Sequence, residues 1–451
     1  MPRGALLPWP VAEATGKPRF ALRGLLPWYN FWDSPTSWNE SDWRRYLDSM
    51  AAEGLNLLML HAYDYEPFCA YRYQGRWVGG APLRTSAQAN WGCHAMATGD
   101  FGFGTRRLFA DRYFGAEIAQ DQPSPEVAIE AQQAFLARQL AYAQSLGIRT
   151  CLGFEVSGNP LDQQELPWLE ARLRHVLQRY PLDYVALWQP EARGVQGCPV
   201  PELTSPLGAY CRRWHDTFSY LGKEQRIAEA VRMTLYARAA REIVAALRAQ
   251  VKLVVAGWGG DQWLHFTDFF PGMDRLLPRD VIFAALDNIR VTPSVSENYA
   301  KLQGRQAWAI PWLEYDGDQW VPQPNTAAWA GACRDAYRKG CLGVLGIHWR
   351  TRAVEESAAY MARYALGHDE SVADFYKRVA RDWFGQGLAE EGARVLLDLQ
   401  ALGYRWTGGA GQMECGALRW APGRDDARLE KLRDCRRRLE GLLDRARRGE
   451  G

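Results

Sequence analysis

Two carboxylates stand just beyond apolar runs, in Trp188-Gln189-Pro190-Glu191 and in Pro311-Trp312-Leu313-Glu314. A carboxylic acid that protonates a leaving oxygen, facing a second carboxylate across the scissile bond, is the usual equipment for cleaving a glycosidic bond. In a variant of that chemistry the substrate's own acetamido oxygen is the nucleophile, and the protein supplies the acid and a polar group that orients the acetamide. Glu191 is the best candidate for the acid. In extended backbone Gln189, two residues earlier, would share its face and could orient an acetamide. Glu314 is the candidate second carboxylate, or a hydroxyl-binding residue if the acetamide serves instead. The chain of 451 residues also carries 20 tryptophans. Flat indole faces stack on the apolar face of a sugar ring, and indole N–H groups bond its hydroxyls.

Other chemistries have less to work with. The seven histidines are 61, 94, 175, 215, 265, 348 and 368, with no HxH or HxxxH pair, so neither a metal nor any other cofactor is expected. The nine cysteines are 69, 93, 151, 198, 211, 333, 341, 415 and 435; the odd count and the lack of CxxC argue against a disulfide framework or a zinc knuckle. Cys93-His94 has no evident third group to orient a nucleophilic dyad. The simplest competing role for an acid after a strand is to cap the next helix.

The elements that must carry these residues alternate. Strands are expected at Leu22–Phe31, Leu55–His61, Arg149–Phe154, Tyr184–Trp188, Lys252–Ala256, Val281–Leu286, Gln306–Ile310 and Leu342–Ile347. Helical patterns at Asn39–Glu53, Ser124–Leu146, Gln164–Arg179, Tyr210–Ala249, Asp268–Leu277, Ser294–Leu302, Thr326–Lys339 and Ala353–Ala365 separate or follow them. Eight strands alternating with helices imply an α/β fold, a (β/α)8 TIM barrel. Its boundaries are about 1–368, with a long insertion at about 62–122 after strand 2 and a helical region at 369–451. Gly99-Asp100-Phe101-Gly102-Phe103-Gly104 follows no strand and does not match a dinucleotide fingerprint.

Active sites in this fold lie at the carboxyl ends of the strands. The expected mouth therefore comprises Trp28 and Asn30; His61, Tyr63 and Glu66; Glu155; Trp188, Gln189 and Glu191; Trp258 and Asp261; Trp312, Glu314 and Asp316; and His348, Trp349 and Arg350. In the alternative, a retaining or inverting glycosidase uses the Glu191/Glu314 pair on a uronic acid or a neutral sugar, and His348 and Arg350 could bind a carboxylate; a non-catalytic sugar-binding barrel is the remaining reading. The net charge of +2 gives no field that would draw the chain to nucleic acid or membrane, and the Arg-rich stretch 436–448 reads as a solvated helix face. A carbohydrate is the expected partner, and self-association is left open. No signal peptide or membrane span is evident, so a cytoplasmic location is expected.

The opening of the barrel also carries a likeness. Arg23-Gly24-Leu25 before an aromatic strand end, the helix Trp43–Met50-Ala51, and Gly54-Leu55-Asn56-Leu57-Leu58-Met59-Leu60-His61 resemble the first two βα units of β-N-acetylhexosaminidases, α-N-acetylglucosaminidases and α-glucuronidases. Asp374-Phe375-Tyr376 and Trp383-Phe384-Gly385 look like the helical tail after the barrels of the last two. The resemblance implies an exo-acting glycosidase releasing a terminal sugar, an N-acetylhexosamine first, and gives Arg23 the role of binding that sugar's hydroxyls. One departure bears on mechanism. The Asp-Glu dyad of the hexosaminidases after strand 4 is absent, since Pro190 precedes Glu191.

Overall fold

A strand buried on both faces reads as a continuous apolar run rather than as an alternation, which is how Leu57-Leu58-Met59-Leu60 and Val254-Val255-Ala256 appear. The computed structural model describes residues 17–28, 35, 38–64, 66–82, 86–87, 96–97, 122–191, 198–259, 266–287, 292–302, 304–314, 325–349, 354–402 and 426–451. In it, eight parallel strands close on themselves. They are β1 (Leu22–Pro27), β2 (Leu57–Ala62), β3 (Arg149–Glu155), β4 (Tyr184–Trp188), β5 (Lys252–Trp258), β6 (Ile282–Asp287), β7 (Ala307–Pro311) and β8 (Gly343–His348). The hydrogen-bonded order β1-β8-β7-β6-β5-β4-β3-β2 makes a closed (β/α)8 barrel.

Ring contacts show which residues face the axis. Tyr184 of β4 meets Trp308 of β7 edge-on at 4.9 Å, low in the barrel. Residues alternate across a strand, so Trp188, four beyond Tyr184, faces the axis at the upper end. The opposite parity faces the helices: Phe283 stacks on Phe270 at 5.0 Å, and a Cβ on Gly257 would lie 2.3 Å from the Phe266 ring. Gly153 has a specific reason to be glycine. A Cβ there would lie 2.3 Å from the Trp188 Nε1, so only a bare backbone on β3 lets that indole lie across it.

The helix layer contains α1 (Glu40–Ala52), α2 (Pro125–Ser145), α3 (Glu165–Arg179), α4 (Glu224–Leu247), α5 (Phe266–Leu276), α6 (Thr326–Arg338) and α7 (Glu355–Leu366). Asn39 and Asp42 form a capping box on α1, and Ser124 caps α2 by accepting from the Val127 amide. The stretch at 210–249, expected as a long or a broken helix, is broken: a short helix spans Pro206–Arg213, Gly222 turns the chain at φ 71°, and α4 begins at Glu224. The expected helix at 294–302 is a single 3-10 segment, Glu297–Lys301. Its entry is held by Asp287, which accepts from the Ser296 amide at 2.6 Å.

After the barrel, α8 (Val372–Phe384), α9 (Ala389–Ala401) and α10 (Asp426–Arg447) follow. The Tyr376 hydroxyl reaches Thr326 of α6 at 2.9 Å and donates to Glu356 of α7 at 2.7 Å, a buried polar tie between α8 and the helix layer. The described start of the segment after β2 is a 3-10 turn, Pro67–Cys69, and a hairpin pairing Tyr71–Tyr73 with Arg76–Val78. Gln74 and Gly75, at φ 49° and 81°, form its two-residue turn.

Candidate active site

The register of β3 on β4 sets Glu155 beside Trp188, and these strand ends carry the chemistry. Four rings converge there from four strands. His61 stacks on Trp28 with centroids 4.4 Å apart and planes 11° from parallel, and meets Trp188 edge-on at 5.0 Å. Trp258 approaches Trp28 at 5.3 Å and donates its indole N–H to the Gln189 carbonyl at 3.1 Å. These rings are almost wholly buried.

Glu191 is half-buried, and its Oε2 accepts from the Tyr63 hydroxyl at 2.9 Å. Its backbone N–H donates to Glu155 Oε1 at 3.2 Å. Glu155 therefore holds Glu191 by its backbone and Tyr63 holds it by its carboxyl. Tyr63 is fixed in turn, because its backbone N–H donates to Glu66 Oε2 at 2.8 Å. Arg172 of α3 ties three segments together: it donates to Asp64 Oδ1 at 2.8 Å, to the Cys69 carbonyl at 3.1 Å and to the Glu155 carbonyl at 3.3 Å. Arg232 of α4 donates to the Val156 carbonyl at 2.6 Å and is gripped at both ends by Glu229, at 2.6 and 2.8 Å.

Burial sets the protonation of the inner groups. His61 lies below its ordinary pKa because it is desolvated; Glu155, with Oε1 3.7 Å from Nε2, pulls the other way and does not prevail. A neutral imidazole is the result. Glu66 is pushed up to about 8 by desolvation, its bond from the Tyr63 amide opposing this and the Glu155 charge adding to it. A carboxyl whose pKa is higher folded than unfolded contributes stability that is complete below the unfolded value and is lost as pH rises through the folded one. Wild-type stability should therefore decline relative to Glu66→Gln between pH 4.5 and about 8. Urea midpoints of both proteins across that range test this; a constant difference would mean that Glu66 is ionised in the native protein.

Glu314 lies elsewhere on the rim. It is fully buried, and its Oε1 accepts from the Trp349 amide at 2.8 Å, so it fastens β7's extension to β8's. Trp312 and Trp349 pack against each other at 5.0 Å, and Trp312 bridges to Ile347.

Three expectations are corrected. Arg23 does not reach the mouth: it is the second residue of β1, at the amino end, and its guanidinium donates to the Gly54 carbonyl at 2.9 Å and the Phe20 carbonyl at 2.8 Å. It secures the base of the barrel instead of a sugar. His348 faces outward, since its Nε2 sits 2.7 Å from the Tyr46 hydroxyl on α1, and strand parity gives the axis to Trp349. Gln189 and Glu191 do not share a strand face, because β4 ends at Trp188 and Glu191 opens a helical turn. Gln189 is buried, with no hydrogen-bond partner for its Oε1 among the described residues. Asn30, Asp261, Asp316 and Arg350 lie outside the described residues.

The arginines were missed. Arg172 looks like any charged residue of an amphipathic helix. Arg232 had a faint signal, a cation inside the largely apolar stretch Ala228–Ala237. Among the described residues no group of three His, Cys, Asp or Glu side chains could hold a metal ion, and no helix is long and apolar enough to cross a membrane.

A closed eight-stranded barrel with carboxylates and aromatic rings at its carboxyl end defines the class of the fold and site. No protein-family model matches the chain, and no curated protein matches it in sequence. Solved structures similar to it include a GH138 enzyme targeting pectin rhamnogalacturonan II, with TM-score 0.46, 9% identity and coverage of 85% of this chain and 55% of that one. Others are a glycoside hydrolase family 20 β-N-acetylglucosaminidase (0.45, 14%, 81% and 73%) and the GH20 β-N-acetylhexosaminidase from Streptomyces coelicolor A3(2) (0.41, 13%, 84% and 70%). The chain thus spans just over half the length of the GH138 enzyme. At these values the likeness adds nothing to the barrel topology read from the strands themselves.

Proposed function

We propose that this protein is a glycoside hydrolase that removes a terminal sugar, an N-acetylhexosamine, with Glu191 as general acid and the substrate's acetamido oxygen as nucleophile. The observation that supports this reading is the placing of Glu191: half-buried at the strand ends, with the Tyr63 hydroxyl donating to one of its carboxyl oxygens at 2.9 Å. Glu314, fully buried and bonded to the Trp349 amide, is poorly disposed to attack an anomeric carbon, which favours a nucleophile supplied by the substrate over a Glu191/Glu314 pair.

A panel of aryl glycosides tests the proposal. Hydrolysis of N-acetylhexosaminides at least tenfold faster than of the corresponding plain hexosides is expected, with inhibition by a thiazoline mimic of the cyclised intermediate. Equal rates on both would remove the acetamido route. Binding without turnover of any glycoside would make the barrel a sugar-binding protein.

A further inference from the structure

We propose that Glu155 is a positioning residue for the reaction, holding the backbone of Glu191 and keeping a proton on its carboxyl through an uncompensated negative charge. The inference rests on Glu191 being the acid and goes on to name what makes it one.

The geometry is specific. Glu155 is the last residue of β3, and its Oε1 takes the Glu191 N–H at 3.2 Å. Its backbone is held on both sides: Arg172 donates to its carbonyl at 3.3 Å, Arg232 to the next carbonyl at 2.6 Å, and the Val156 amide donates to the Trp188 carbonyl at 3.1 Å. The two arginines grip the main chain and make no bond to the carboxylate. Among the described residues, the only side chain within ion-pairing distance of that carboxylate is His61, at 3.7 Å. His61 is 1% exposed and stacked on Trp28, so it stays neutral and does not cancel the charge.

Other described groups lie near this point. Tyr63 donates a hydrogen bond from the end of β2. Glu66 beneath it is buried and its pKa is pushed up to about 8; Asp64 is paired with Arg172, and Glu229 with Arg232. A like charge beside a carboxyl disfavours its ionised form, so Glu191 retains its proton to higher pH.

Glu155→Gln preserves an oxygen that accepts from the Glu191 N–H and removes the charge. In the full chain, the basic limb of kcat/KM against pH, followed with an aryl glycoside of the preferred sugar, is expected to move down by about one pH unit. Glu155→Asp, which keeps the charge, is expected to leave the limb in place. A limb that stays at its wild-type position in Glu155→Gln, or that moves equally in Glu155→Asp, overturns the proposal. If the Gln variant does not fold, Glu155→Asp against Glu155→Ala gives the same comparison. The assignment of the acid is tested separately, by Glu191→Gln on poor leaving groups. If that variant loses its rate while the Glu155→Gln limb stays in place, the role of Glu155 alone is wrong.

Discussion

Replacing Glu191 by Gln is expected to slow the hydrolysis of substrates with poor leaving groups by roughly 100- to 10,000-fold, the usual worth of general acid catalysis. The amide keeps an oxygen to accept from the Tyr63 hydroxyl, now at 2.9 Å from Oε2, so the side chain should stay where it is. What it loses is the proton. Aryl glycosides whose leaving phenolates need little protonation should therefore suffer much less, and the ratio of kcat/KM between poor and good leaving groups should widen sharply. A uniform loss across leaving groups would instead indicate that Glu191 binds sugar without donating a proton, and a near wild-type rate on alkyl glycosides would sink the assignment.

The second large effect concerns stability. Arg232→Met should destabilise the protein by about 3–5 kcal/mol, because removing one member of a buried ion pair leaves the other charge uncompensated. Both side chains are almost fully enclosed, 1% exposed for Arg232 and 0% for Glu229. The substitution also strips the Val156 carbonyl of its 2.6 Å donor. Chemical denaturation reads the loss as a lower midpoint. If Arg232→Met unfolds at the wild-type midpoint, the pair is open to water in solution. Replacing both partners by apolar residues of similar volume should recover part of the loss, since neither charge then remains buried alone.

Much of the barrel was legible because its strands are apolar runs punctuated by turns and caps. Tyr184–Trp188 was read with its observed ends, and the other seven strands begin within two residues of where they were expected. The facing of each residue was not legible. In a strand buried on both sides the hydrophobic pattern carries no alternation, so nothing in Gly343–His348 distinguishes the parity that turns His348 toward α1. Arg23 misled for a related reason. Its place in sequence just before an aromatic strand end resembles a sugar-binding arginine, but strand length sets it at the opposite end of the barrel, among carbonyls. Tyr63, Glu155 and Glu191 were each expected at the mouth, whereas their mutual contact depends on the lateral register of β3 on β4 and on the path of the chain after β2. Neither is written in local sequence.

The turn after β2 is closed upon itself. The Gly80 amide returns to the Asp64 carbonyl at 2.7 Å, Gln133 of α2 donates to the Pro67 and Ala70 carbonyls at 2.8 and 2.9 Å, and Tyr180 donates to the Phe68 carbonyl at 2.8 Å. Tyr63 thus owes its position to a short loop braced from outside by α2 and by the residue that follows α3. The hydrogen bond that Tyr63 makes to Glu191 is thereby tied to the seating of two helices of the outer layer.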